Sequence, residues 1–95
     1  MADVTVTLRN KKISVDKQSV PVSVEKSEKV SWTSTDGPFN IEFKPGSHWP
    51  NPNTKQVGSS WVAECGPFNN PHTKLQYNIT ASEYDTLDPE IDIRP

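Results

Sequence analysis

Residues 29–43, KVSWTSTDGPFNIEF, carry the pattern that decides the fold class. Val30 and Trp32, then Phe39, Ile41 and Phe43, recur with a period of two, so one set of side chains faces a core while Ser31, Thr33, Asn40 and Glu42 face the other way. Between the two runs, Thr35, Asp36, Gly37 and Pro38 supply turn chemistry. Two apolar, alternating segments around a turn describe two β-strands. They predict an all-β protein.

The same periodicity extends outward in both directions. Val4, Val6 and Leu8 alternate with Thr5 and Thr7, and Ile13 with Val15 resumes the pattern after Asn10, Lys11 and Lys12 interrupt it, which predicts a hairpin or a kinked first strand. Val20, Val22 and Val24 form a third run. Pro21 lies inside it and has no amide to donate, so that segment is either an edge strand or only partly paired. Residues 25–29 form a charged turn. Residues 44–53 contain three prolines and one glycine and predict a long loop. A short strand follows at Ser60, Trp61, Val62 and Ala63, then a second irregular segment over 65–72. Leu75, Tyr77 and Ile79 mark a clear strand, and Ile91 with Ile93 a last short one. Residues 82–87 are the one stretch with room for a helical turn. The count comes to about seven strands, with turn signals every eight to twelve residues or so, which predicts a Greek-key β-sandwich.

Ninety-five residues make a single domain, 1–95, with one core. The apolar fraction is only 32% and nine prolines are present, but the apolar residues sit in alternating runs, which argues for a folded chain. The formal charge of −2 comes from interleaved acidic and basic residues, so no face reads as a phosphate-binding footprint and nucleic acid is not an expected partner. No apolar run reaches membrane-spanning length, and the opening MADVTVTLRN lacks the apolar segment of a secretory signal; the sequence as it stands reads as soluble, with its compartment unassigned. One cysteine, Cys65, excludes an internal disulfide.

Four pieces of the chain, taken in order, resemble small bacterial cupredoxin-like domains. VEKSEKVSW at 24–32 is similar to the V-x-x-G-D-x-V-x-W approach to the third strand of that family. GPFNIEF at 37–43 is similar to x-P-H-N-V-x-F, LQYNIT at 75–80 to the Y-x-Y-x-V strand, and LDPEIDI at 87–93 to the L-D-P-x-I-x-V ending. The resemblance implies a cupredoxin-like sandwich. In copper-binding relatives the histidine of the second motif, with a Cys, a second His and a weak axial ligand, holds the ion. Here that position is Phe39, which has no lone pair to offer, so the resemblance is to members that lack a complete type-1 copper site.

Cys65 and His72, separated by six residues, and His48 are the candidates for a rearranged copper site, with Gln76 as an axial amide oxygen. The plainer expectation is no metal: two unclustered histidines and one thiol match no recognised ligand spacing. Cys65 with His72 also lacks the surroundings of a catalytic thiol, so no enzyme is expected. Glu83, Asp85, Asp88, Glu90 and Asp92 read as a solvated acidic face. Asn78, Ile79 and Thr80 match a glycosylation sequon, a pattern common by chance.

Trp49, Phe68 and His48 lie in the proline-rich loops 44–59 and 64–73, where aromatic side chains on a rigid scaffold can serve as anchors. Core packing under the loops is the competing expectation for Trp49, Trp61 and Phe68. The sequence therefore predicts a metal-free, cupredoxin-like sandwich without a cofactor, acting as a binding or structural module toward a protein or carbohydrate. A copper-binding electron-transfer protein using Cys65, His72 and His48, and a carbohydrate-binding sandwich stacking sugars on Trp49, are the alternatives.

Overall fold

A computed structural model describes residues 2–45 and 49–95, and among these there are nine strands and no helix. They are β1 (Ala2–Arg9), β2 (Lys12–Val15), β3 (Ser19–Ser23), β4 (Val30–Ser34), β5 (Asn40–Phe43), β6 (Lys55–Val57), β7 (Ser60–Cys65), β8 (Thr73–Thr80) and β9 (Glu90–Arg94). One sheet has the order β2-β1-β4-β7-β6 and the other β3-β9-β8-β5. Each is mixed: β1 runs parallel to β4 and β3 parallel to β9, while the remaining pairs are antiparallel. The chain passes back and forth between the sheets, so strands adjacent in sequence often lie in opposite layers. Among the described residues no helix is long and apolar enough to cross a membrane.

Alternation builds the core. Val4, Val6 and Leu8 of β1, Val30 and Trp32 of β4, Ile41 and Phe43 of β5, Leu75, Tyr77 and Ile79 of β8 and Ile91 and Ile93 of β9 are all buried between the layers. Trp32 and Tyr77 join the two sheets: the indole Nε1–H donates to the Tyr77 hydroxyl at 3.0 Å, and the rings meet edge to face at 5.3 Å. This contact places the one polar atom of each ring against the other, which lets both large side chains be buried.

Differences from the expected strand count have local causes. β6 falls inside what reads as a loop, because all three of its residues are exposed and give no alternation. Residues 82–87 form turns and two isolated bridges, Lys12 with Asp85 and Ile79 with Leu87, instead of a helical turn. The interruption at Asn10 and Lys11 is a two-residue hairpin, both residues having φ near +60° (52° and 63°), as a twisted two-residue hairpin requires. Ser31 faces away from the core as expected but is still buried, on a central strand where its register partners are Asp3 and Glu64.

The sheet edges are blocked. On β3 the even residues face β9, shown by Val24 N–H donating to Arg94 O, which leaves Ser19, Pro21 and Ser23 facing outward. Pro21 has no amide, and the Ser23 amide donates to Glu28 Oε1 at 2.8 Å. On β5 the Phe43 amide donates to Asn51 Oδ1 at 2.8 Å, so Asn51 covers that edge. Beside β2, the Asp85 amide donates to the Lys11 carbonyl at 3.0 Å. β6 is three residues long and begins with a lysine, which limits pairing from that side.

Candidate functional site

Two loops meet at one end of the sandwich. Residues 44–54 lead from β5 to β6 and residues 66–72 from β7 to β8, each crossing from one sheet to the other. They are joined by Trp49 and Phe68, whose rings meet edge to face at 5.0 Å. Phe68 is buried, 3% exposed, and so does not belong to an exposed aromatic patch with Trp49 as the sequence allowed; it is an inner support for Trp49, which is itself half-buried. Trp61 is also half-buried against the core. His48 lies outside the described residues.

Beside Trp49 is an open groove of about 330 Å³, lined by Lys44, Trp49, Asn70, Thr73, Lys74 and Gln76, with Leu75 and Ile93 as its buried apolar floor. Lys44 Nζ binds the Asp88 carboxylate at 2.8 Å, and Lys74 Nζ lies 3.7 Å from Glu90. Three of the acidic residues near the end of the chain thus have basic partners, since Asp92 in turn accepts from Arg94 at 2.9 Å, and among the described residues none are gathered as a cation site. Asn70, Thr73 and Gln76 are exposed along the groove. Alternation along β8 sends Gln76 outward, and nothing in the local sequence marked Asn70 or Thr73, because their proximity to Trp49 depends on two loops closing over one another.

The position of Phe39 is at the opposite end. Asn40 pairs with Thr80 and Ser34 with Trp61, whereas Cys65 pairs with Val30 and Thr73 with Ile93. The span of β4 alone, four steps of about 3.3 Å, separates the two ends by about 13 Å. Phe39 is 1% exposed and belongs to the same buried core cluster as Ile41 and Phe43. A ligand at Phe39 and a thiolate at Cys65 could not bind one ion, since metal–ligand bonds span only about 2.0–2.3 Å. Among the described residues no three His, Cys, Asp or Glu side chains are grouped to hold a metal. Phe39 itself offers no donor, and Cys65 lies too far away to complete a type-1 copper site there.

Cys65 ends β7 rather than opening a loop, and it is half-buried. Burial raises its thiol pKa, opposed in part by the Gly66 backbone, so the sulfur stays protonated at neutral pH and is a poor nucleophile. Gly66 follows with φ +123°, its α-carbon so close to the chain that an added Cβ would lie 3.1 Å from Lys29 Cα. His72 is exposed at the far side of the loop, held by its own amide donating to the Ile93 carbonyl at 2.7 Å, with φ 63°.

The sequence matches no family model, and no curated protein is significantly similar to it.

Proposed function

We propose that this chain is a metal-free, cupredoxin-like β-sandwich whose work is recognition or scaffolding rather than catalysis, with loops 44–59 and 64–73 as its contact surface. The observation that carries this reading is the contact between Trp49 and Phe68. It ties the two loops together above a groove, so that an aromatic side chain is held in place on a rigid support. The resemblance at 24–32, 37–43, 75–80 and 87–93 supports the family part of the proposal, and the buried phenyl ring of Phe39 supports the absence of copper chemistry.

Cu(II) titration tests it. The expected outcome is a colourless protein with no type-1 electron paramagnetic signal. An intense visible charge-transfer band would require a thiolate–copper bond at Cys65 and would overturn the metal-free reading.

A further inference from the structure

We propose that the groove beside Trp49 is a binding site for a neutral carbohydrate, an inference that rests on the contact surface proposed above and names its ligand. Three features of the groove select this chemistry. The wall is an indole held at one angle by the Phe68 ring behind it, at 5.0 Å and 60°. A pyranose presents a face of C–H bonds, weakly positive, that complements the negative face of an aromatic ring. The rim carries two amides, Asn70 and Gln76, and one hydroxyl, Thr73, each exposed; these both donate and accept, as sugar hydroxyls do.

Charge is the third feature. The two lysines on the groove each have a carboxylate partner, Asp88 at 2.8 Å and Glu90 at 3.7 Å. An anionic ligand would have to compete with these carboxylates, and a cationic one would meet the lysines first. A neutral polyhydroxylated ring needs neither exchange. Leu75 and Ile93 close the groove from below but are almost fully buried, so the apolar surface offered to the sugar is that of Trp49.

The test is a nuclear magnetic resonance titration of the isotope-labelled full chain with maltohexaose, cellohexaose and chitohexaose, each to about 10 mM, a range that captures weak millimolar binding. The expected result is saturable shifts of the Trp49 indole N–H and of the Asn70 and Gln76 side-chain amides with at least one of the three. Trp49→Ala abolishes binding and Trp49→Phe retains part of it. Because Trp49 also packs on Phe68, the exposed variants Asn70→Ala and Gln76→Ala serve as independent checks, each weakening binding about fivefold for one lost hydrogen bond.

Absence of shifts with all three sugars overturns the proposal, as does a response confined to residues away from the groove. Shifts at Trp49 caused by a tryptic casein digest and by none of the sugars would make the groove a peptide site instead. Either failure leaves the metal-free reading standing, since that reading falls only to a copper charge-transfer band.

Discussion

The Tyr77 hydroxyl accepts the Trp32 indole N–H at the centre of the sandwich, and burial holds its pKa up at about 12. Desolvation is the largest cause; the Trp32 hydrogen bond opposes it, and the charge of Asp16 adds to it. The folded state thus keeps a proton that the unfolded chain, with an ordinary value of 10.0, gives up sooner. Stability from this group is complete below about pH 10 and is lost as pH rises toward about 12. Replacing Tyr77 with Phe leaves the Trp32 donor unpaired and should cost about 1–3 kcal/mol at neutral pH, read by urea unfolding. The variant should also lose part of its alkaline sensitivity over that window. At Phe39, substitution by His introduces an imidazole into the buried apolar cluster that also holds Ile41. We expect a loss of about 2–4 kcal/mol and still no blue colour with Cu(II), because Cys65 remains at the other end. A blue variant would show that the two ends communicate in a way the strand register forbids.

Hairpin β1–β2 depends on Asn10 and Lys11 both adopting φ above zero. Asparagine tolerates this conformation, while lysine has a Cβ that crowds the following carbonyl. Lys11→Gly should stabilise the protein by about 0.5–1 kcal/mol, a gain reduced by the greater freedom of glycine in the unfolded chain. A higher urea midpoint with an unchanged slope is the measurement. A hairpin was foreseeable from the interruption of the apolar alternation at Asn10, but its two-residue length depends on which residues pair across it. β6 was invisible for a different reason. A strand exposed on all three residues carries no apolar alternation, so its hydrogen bonds to β7 are its only mark.

On the scale of the whole molecule, the edges decide whether copies of the chain pair with each other. The Val20-to-Val24 run reads in sequence as an edge strand or one only partly paired, and the structure places it at the edge of its sheet. Folding adds what the sequence could not show: Glu28 returns across a turn to bind the Ser23 amide. The protein is expected to sediment as a monomer. Pro21→Val combined with Glu28→Ala restores two outward-facing donors and should produce concentration-dependent dimers in analytical ultracentrifugation. Unchanged sedimentation would show that the edge is protected by something other than these two residues.

Alternation alone determined the all-β class, most of the core and the burial of Phe39, because a period of two assigns each side chain to one face before any partner strand is known. Which sheet each strand joins, that Phe39 and Cys65 lie at opposite ends, and that Trp49, Asn70 and Gln76 share a groove were decided only by the tertiary structure. These relations arise where the chain crosses between layers, and crossing loops bring together residues whose sequence neighbours carry no trace of the meeting.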